Sequence, residues 1–325
     1  TGKENYSKTN KLLREKMRKM ISNRNEKNAI EIGKEKALAW LKKSVLINGG
    51  LPAAHAGHIS YQEVTGYTIQ TLRKLSEKEL AKKLVLWLIS VQQHDGSFCA
   101  PDGNPYTFDT GQVVRGLLSV IDEMPTVENY IIKACNWILN QIESSGRIST
   151  PTNDLWLLPS GKMIPESIHL YVLPPFIEAG RKLLKTEYID AAHRSLLYYK
   201  KNYHLTEFET LSHFFGYIME ALYDLGEIDL VKDGMEKAGK LQAQNGGIPA
   251  YPDVKWICST GMAQLAVVWL KMGIREPAVK ALQFLCKIQN ERGGFYGSYG
   301  RGAGYFPRTE ISWGVKYFLD AYLLL

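Results

Sequence analysis

Apolar residues recur along the chain with the spacing of amphipathic helices, and no stretch alternates in the two-residue period of a β-strand. The segment with Val113, Leu117, Leu118 and Ile121 is one example, with its apolar side chains on one helical face. These segments come in pairs, in which a helix with one charged face precedes a helix that is apolar on most sides. The pattern therefore predicts an all-α protein.

The pairs repeat six times. The second helix of each pair opens with a short polar phrase, and the phrases begin at Glu63, Asp109, Glu166, Ser212, Ser259 and Glu310. Their spacings are 46, 57, 46, 47 and 51 residues. The first helices are predicted at Ala37–Val45, Leu80–Gln93, Asn129–Ile142, Ala191–Lys201, Leu230–Gln244 and Pro277–Gln289. A glycine-containing loop follows the first helix in five of the six pairs, and this recurrence indicates a helical-repeat architecture.

Twelve helices in six pairs can form an open solenoid or a closed (α/α)6 toroid, with six inner and six outer helices. Closure is favoured, because the segments opened by Glu63, Asp109 and Ser259 are apolar on most sides, as an inner ring requires. We therefore predict a single toroid domain over residues 29–325. A basic N-terminal extension, residues 1–28, precedes it.

The charge of the 325-residue chain is unevenly distributed. Residues 1–36 carry 11 basic and 5 acidic residues, and so account for +6 of the total net charge of +7. The remaining chain is nearly neutral, which argues against nucleic-acid binding by the repeats. The basic leader is interpreted either as a helix packed on the body or as a contact to an anionic membrane surface or a protein partner.

The composition is ordinary for a globular protein, with 45% hydrophobic and 22% charged residues. No apolar run approaches the roughly 18 residues of a transmembrane helix, and no signal peptide is visible. Cys99, Cys135, Cys258 and Cys286 form neither a CxxC pair nor a cluster with zinc-ligand spacing. We therefore predict reduced thiols, no metal, no cofactor and a cytoplasmic location.

Two segments share an aromatic residue, a glutamine five residues later and a following glycine-containing loop: Trp87–Gln92 with the loop 95–98, and Phe284–Gln289 with the loop 293–295; Trp40 with the loop 49–52 is a degenerate third copy. These motifs resemble the QW repeat of the terpenoid cyclase and protein prenyltransferase superfamily. The resemblance implies an α/α toroid over about residues 30–325. We interpret the QW-like residues as structural, with the glutamine clamping the following loop.

The resemblance does not extend to the chemistry of that superfamily. The Asp-x-Asp-Asp motif with which triterpene cyclases protonate their substrate is absent, as is the Asp-x-Cys zinc motif of protein prenyltransferases. A second stretch, Ser212–Gly226, is similar to a helix in the C-terminal toroid of the glucuronyl C5-epimerases. The acidic-tyrosine substrate motif of that family is not recognisable.

The loops before the inner helices should line one opening of the toroid, and they are rich in titratable and aromatic residues. The candidate catalytic residues are Glu63, Asp109, Glu166, His213, Tyr217 and Glu310. The candidate substrate-binding residues are His58, Tyr61, Tyr106, Trp156, His169, Tyr251, Asp253, Trp256, Arg301, Tyr305, Arg308 and Trp313. The alternative for the acids is helix capping, and for His169 and His213 it is a structural place in the core.

Three functions are compatible with these residues. The first is a carbohydrate-active enzyme on a glycan, since Tyr, Trp and charged groups together suit a hydroxylated substrate. In its epimerase or lyase form Arg301 or Arg308 neutralises a uronate and Tyr217, His213 or Tyr305 removes a proton. In its hydrolase form two of the acidic residues act as acid and base.

The second function is isoprenoid cyclisation or transfer, and the third is protein binding by a non-catalytic helical repeat. The first is favoured. Its substrate is expected to be a glycan or other polar small molecule bound in the central cavity.

Overall fold

The computed structural model describes residues 28–55, 57–149, 157–158 and 161–325. Residues 1–27 of the basic extension and Trp156 therefore lie outside the described residues. Twelve α-helices occur in the described part and alternate between an outer and an inner ring. The outer helices are α1 (28–44), α3 (Lys78–Val91), α5 (Glu128–Asn140), α7 (Thr186–Asn202), α9 (Ile228–Lys240) and α11 (Arg275–Ile288). The inner helices are α2 (Gln62–Lys74), α4 (Thr107–Leu118), α6 (Leu173–Lys182), α8 (Ser212–Asp224), α10 (Ser259–Lys271) and α12 (Ser312–Leu323).

The remaining regular structure is short. Two 3-10 segments, Pro125–Val127 and Glu166–Val172, precede α5 and α6. Strands β1 (Ile257–Cys258) and β2 (Ser298–Tyr299) pair antiparallel, with Ile257 opposite Tyr299 and Cys258 opposite Ser298. The pair joins two loops at the end of the ring where the inner helices begin.

The ring is closed. Each inner helix, with the 3-10 segment that leads into α6, contacts the next around the ring, and α12 contacts α2. In the outer ring, the side-chain amide of Gln289 at the end of α11 donates to the carbonyl oxygen of Gly33 in α1, at 2.9 Å. The predicted (α/α)6 toroid is thereby confirmed, and the open solenoid is excluded.

A repeated glutamine ties each of three outer helices to the next. The amide of Gln92 donates to the carbonyl of Gly96 in its own loop at 3.0 Å and to the carbonyl of Tyr130 at 2.9 Å, where α5 begins. Gln242 and Gln289 make the same pair of hydrogen bonds. Each side chain thus satisfies backbone groups of two adjacent repeats at once.

The glycine of each such loop is required by close packing. Gly96 has φ of 98°, and a Cβ at this position would lie 2.3 Å from the carbonyl oxygen of Lys133 in α5. Gly146, Gly246 and Gly293 approach the next outer helix in the same way. The recurring glycines therefore mark the points where one repeat rests on the backbone of the following one.

The inner helices also pack backbone against backbone. A Cβ on Gly116 would lie 2.0 Å from the carbonyl oxygen of Gly66, and a Cβ on Gly66 would lie 2.7 Å from the Cα of Val113. Between the neighbouring helices α8 and α10, a Cβ on Gly261 would lie 2.7 Å from the backbone nitrogen of His213. These contacts narrow the bore and bring the first turns of neighbouring inner helices together.

The four cysteines are free thiols, as the sequence predicts. Cys135 and Cys258 are buried. None of the described helices combines the length and the apolar character needed to cross a membrane.

A turn with a left-handed residue connects inner to outer helices in several repeats. The residue is Gly226 or Gly273 in two of them, Ser76 in another, and Leu184 in a fourth, where φ is 56° and the exposed fraction is 88%. We expect Leu184→Gly to raise the free energy of unfolding by about 1 kcal/mol, because glycine adopts this conformation without a Cβ clash. Urea unfolding of the two chains measures the change.

Gly226→Leu is the matched control and should lower the free energy of unfolding by about 1–2 kcal/mol. A Leu184→Gly variant that is no more stable than the parent would show that the leucine side chain makes a contact that offsets its backbone strain.

Candidate functional site

We call the end of the ring where the inner helices begin the upper end, and the end where they finish the lower end. Glu63 is the second residue of α2 and Asp109 the third residue of α4, so both belong to first helical turns at the upper end. The close approach of Gly66 and Gly116 holds these two helices together. As a result, two carboxyl groups from different repeats interact electrostatically inside the ring.

Glu63 is buried and accepts hydrogen bonds from two sides. Trp313 Nε1 lies 3.2 Å from both carboxylate oxygens, and the Tyr217 hydroxyl donates to Oε1 at 3.2 Å. Burial raises the pKa of Glu63 to about 7, although the hydrogen bonds from Trp313 and Tyr217 and the nearby Tyr67 hydroxyl act in the opposite direction. Desolvation therefore outweighs the hydrogen bonds, and Glu63 can gain or lose a proton near neutral pH.

Asp109 is fully buried, and neither of its carboxylate oxygens has a well-aligned hydrogen-bond partner among the described residues. The Tyr61 hydroxyl lies close enough to lower its pKa to a small extent. Burial and then the charge of Glu63 nevertheless raise the pKa of Asp109 well above its usual range. Asp109 is therefore protonated when Glu63 is ionised, because the pair cannot carry two charges in this environment.

Aromatic rings surround the carboxyl pair. The ring of Tyr217 lies 4.4 Å from that of His213, 4.7 Å from that of Tyr171 and 4.9 Å from that of Phe108, between ring centroids. The ring of Tyr61 packs edge-on against Trp313 at 6.1 Å. This packing excludes water from the carboxyls and is the physical cause of their desolvation.

His213 is buried at the start of α8. In the orientation that satisfies both ends of its amide, Gln264 donates to His213 Nδ1 and to the His213 carbonyl, each at 2.9 Å. Burial lowers the pKa of His213 to about 3. His213 is consequently a neutral imidazole, with Nδ1 as an acceptor, packed against Tyr217.

The structure does not bring Glu166 and Glu310 to the carboxyl pair. Arg147 holds Glu166 in an ion pair, with 2.9 Å between Arg147 Nη2 and Glu166 Oε2. Glu310 accepts hydrogen bonds from Trp40 Nε1 at 2.8 Å and from the Asn290 side chain at 3.0 Å. Both carboxylates connect parts of the toroid to each other.

The loop between β2 and α12 covers one side of the site. The Tyr305 ring lies 6.2 Å from His213, and the Phe306 ring lies 5.9 Å from Trp313. Phe306 and Arg308 have φ of 45° and 60°, a conformation that costs a residue with a Cβ about 1–3 kcal/mol. Backbone strain is therefore concentrated in the segment that packs over the carboxyl pair.

The other predicted binding residues lie further out. Tyr106 donates to Asp102 at 2.8 Å, and Tyr251 packs edge-on against Trp256 at 5.8 Å. His169 is buried, with Nδ1 3.0 Å from the carbonyl oxygen of Glu166, and burial lowers its pKa to about 4. The exposed members of the predicted set are His58, Asp253, Arg301 and Arg308.

Several residues of the site were not predicted from the sequence. Tyr67 and Lys316 lower the pKa of Glu63, Gln264 orients His213, and Phe108 packs on Tyr217. Tyr67 follows Glu63 by four residues, so it stands one turn deeper on the same face of α2. The sequence signal for Tyr67 is therefore a polar residue one helical turn after the helix-start phrase.

In the part of the chain that the structure describes, no three His, Cys, Asp or Glu side chains lie close enough together to hold a metal ion.

No protein-family model matches the chain, and no curated protein matches it. Solved structures do match. A glycosidase in complex with glucose superposes with a TM-score of 0.69 at 11% identity, over 93% of this chain and 98% of that one. An unsaturated glucuronyl hydrolase specific for heparin gives 0.68 at 14% identity, over 90% and 96%. A type II terpene cyclase from Scytonema, in complex with geranylgeranyl dihydroxybenzoate, gives 0.62 at 12% identity, over 92% and 98%.

At these identities the similarity establishes the fold but not the activity, the substrate or the site residues. The predicted α/α toroid fold is confirmed by this similarity. The matched structures include a glycoside-processing enzyme and a terpene cyclase, so the fold by itself does not decide between the first two functional hypotheses.

The raised pKa values make the carboxyl pair a source of instability at high pH. A carboxyl whose folded pKa exceeds its unfolded pKa binds more protons when folded, so stability falls as pH rises from about 4 towards the folded pKa. We expect Glu63→Gln to be more stable than the parent by roughly 2–3 kcal/mol at pH 8, with a difference that shrinks towards pH 5. Asp109→Asn should behave in the same direction.

Urea unfolding between pH 5 and pH 8 measures these differences. Glu166→Gln is the control, since its carboxylate is ion-paired with Arg147, and its stability should not increase with pH relative to the parent. A constant difference between Glu63→Gln and the parent over this range would contradict a raised pKa.

Proposed function

We propose that this protein is a carbohydrate-active enzyme that uses Asp109 and Glu63 as an acid–base pair. The observation that carries the proposal is the pair itself: two carboxyls from adjacent inner helices, buried among aromatic rings, with both pKa values raised. Ionisable groups are rarely placed in such surroundings for stability, and perturbed pairs of this kind concentrate at catalytic sites.

The environments of the two carboxyls assign them different roles. Asp109 has no strong hydrogen-bond donor to stabilise its anion and is proposed as the general acid that protonates the leaving oxygen. Glu63 accepts hydrogen bonds from Trp313 and Tyr217, which stabilise its charged form, and is proposed as the base or nucleophile. One acid and one base are the two groups that glycoside hydrolysis requires.

Hydrolysis is better supported than epimerisation or elimination. Those reactions need a cation against the uronate carboxylate, and the sequence offers Arg301 and Arg308 for this role. Both are exposed, and Arg308 lines a cavity with His55 and Glu310 instead of facing Glu63. Tyr217 donates to Glu63 and remains available as a proton donor to that carboxyl group.

The rim suits a glycan substrate. The partly exposed ring of Tyr61 offers a flat apolar face on which a sugar ring stacks, while Asp102 and Asp253 offer acceptors for hydroxyl groups. The indoles of Trp256 and Trp313 are buried behind this rim. The loop with Phe306 and Arg308 is proposed to move when substrate enters, because Glu63 and Asp109 are buried in its present position.

Isoprenoid cyclisation is the second candidate. The observation in its favour is a protonated Asp109 among the rings of Phe108, Tyr217 and Trp313, since aromatic faces stabilise carbocations. Polar and charged neighbours such as Lys316 and Glu63 weigh against it. Incubation with squalene or geranylgeranyl diphosphate tests it directly, and formation of a cyclic product would replace the carbohydrate proposal.

The main test is activity on a panel of neutral and uronate-containing oligosaccharides. We expect glycosidic bond cleavage, and a fall in kcat of about 10³-fold or more in both Asp109→Asn and Glu63→Gln. Glu166→Gln should keep activity within a few-fold of the parent, because Arg147 holds that carboxylate outside the pair. Solvent deuterium incorporation at C5 without cleavage would favour the epimerase form, and equal activity in all variants would refute the acid–base pair.

The pH dependence of kcat/KM provides a second test. Activity should rise as Glu63 ionises, with an acid limb near its pKa of about 7, and fall at higher pH as Asp109 loses its proton. Tyr217→Phe removes one hydrogen bond to the Glu63 carboxylate and should shift the acid limb to higher pH. An acid limb below about pH 5 would show that Glu63 is not the ionising group.

A further inference from the structure

A cavity opens at the lower end of the ring, and neither Glu63 nor Asp109 lines it. Its volume is about 930 Å³, and it lies between the last turns of α2, α4, α6, α8, α10 and α12. Lys74 on its wall is eleven residues beyond Glu63 on the same helix, a distance of about 16 Å along the axis. The aromatic layer around Tyr171 and Tyr317 separates the two ends.

The floor of this cavity carries buried charges. Lys316 has an exposed fraction of 3% and Glu220 one of 6%. Lys271 bridges Glu220 at 3.0 Å and Asp224 at 2.9 Å, and Lys316 pairs with Asp320 at 2.7 Å. Burial by itself raises the pKa of Glu220, but the positive charges of Lys271, Lys316 and Arg115 lower it to about 2. The network therefore stays charged.

The guanidinium of Arg115 makes no ion pair or hydrogen bond with a carboxylate of the described residues, although Glu220 and Asp224 lie close enough to raise its pKa. It stacks on the Tyr171 ring, 4.2 Å from its centroid, and donates to the Tyr171 carbonyl at 2.9 Å and to the Gln112 side chain at 3.2 Å. The planar group is therefore fixed in place by neutral acceptors. Its remaining N–H groups are not used by any acid of the described residues.

Two more cations on the wall are unpaired. Lys74 and Arg181 are exposed and form no ion pair within the described parts of the chain. Four of the five acids of the lining are in ion pairs: Lys271 contacts Glu220 and Asp224, Lys316 contacts Asp320, and Glu227 pairs with Lys200 at 2.8 Å. The lining holds five Lys or Arg side chains and five carboxylates, so its formal charges balance. The cations without an ion-pair partner among the described residues are Arg115, Lys74 and Arg181, and these remain available to an acidic ligand.

Stability alone does not account for this arrangement. A buried ion network contributes little net free energy compared with apolar packing, and a bore filled by side chains would be the more stable solution. A fixed guanidinium, free cations and carboxylates able to accept from hydroxyl groups are the components of a polar ligand site.

We propose that the lower cavity binds a small polyhydroxylated anion, a sugar acid or a sugar phosphate. The acidic group pairs with Arg115, and Lys74 and Arg181 add charge at the rim. The hydroxyl groups donate to carboxylates of the wall, of which Asp224 is exposed. The proposal is independent of the reaction at the upper end, because no residue of the carboxyl pair lines this cavity.

Isothermal titration of the full chain with glucuronate, glucose 6-phosphate and glucose tests the proposal. At least one of the anions should bind, and glucose about tenfold or more weakly, since it lacks the group that pairs with the guanidinium. Glucuronate alone would identify the ligand class as a sugar acid, and glucose 6-phosphate alone as a phosphate ester. Higher ionic strength should weaken binding.

Variants locate the site. Arg115→Gln should weaken binding of the anion about tenfold or more, and Arg181→Ala about threefold. Arg181 is exposed, so its variant tests the site even where Arg115→Gln fails to fold. Lys133→Ala is the matched control, an exposed lysine on α5 away from the cavity, and should bind as the parent does.

Two results would overturn the proposal. One is the absence of binding by either anion at about 10 mM. The other is binding that persists in Arg115→Gln and Arg181→Ala but is lost in Asp109→Asn, because this pattern places the ligand at the upper end.

Discussion

The inner ring is held at backbone contact by glycines, and the rest of the structure depends on that contact. Where Gly116 meets Gly66, no side chain separates α4 from α2. The first turns of the two helices are then close enough for Glu63 and Asp109 to interact, and the bore is narrow enough for aromatic rings to exclude water from them. A methyl group at either glycine would separate the helices and, with them, the two carboxyls.

The pKa values of buried carboxyl groups are shifted in opposite directions at the two ends of the bore. At the upper end the carboxyls are desolvated and lack a cationic partner in contact, so their pKa values rise. At the lower end Glu220 is also buried, but Lys271 and Lys316 are close by and its pKa falls. The upper end is therefore suited to proton transfer near neutral pH, and the lower end to fixed charge recognition.

The sequence predicts the fold well because each repeat carries its own signals. The apolar period, the loop glycines and the helix-start phrases are local, so the twelve helices and their two rings follow from them. Even the inner–outer assignment follows, since a helix apolar on most sides can only be an inner one.

The site is less predictable, because helical phase decides which acid enters the bore. Successive residues of an α-helix are rotated by about 100°. Glu63 and Asp109 are the second and third residues of their helices and face the bore, whereas Glu310 precedes α12 by two residues and turns towards Trp40 instead. In the sequence the four acids look equivalent, because each stands near the start of a predicted helix. A difference of one or two residues in where the helix begins, which the sequence does not fix, decides the direction of the side chain. Arg147, which forms the ion pair with Glu166, lies in a loop, and helical periodicity does not predict the position of a loop residue.

Ring closure also constrains how the molecule acquires its site during folding. The hydrogen bond from Trp313 to Glu63 joins residues 250 positions apart, and that from Trp40 to Glu310 joins residues 270 positions apart. An open array can gain its repeats one after another, each stabilised by its neighbour. Here the first repeat keeps one side uncovered until the sixth has folded, and the Glu63 carboxylate meets its indole donor only at that last step. Completion of the carboxyl pair therefore depends on closure of the ring, which brings together segments far apart in the chain.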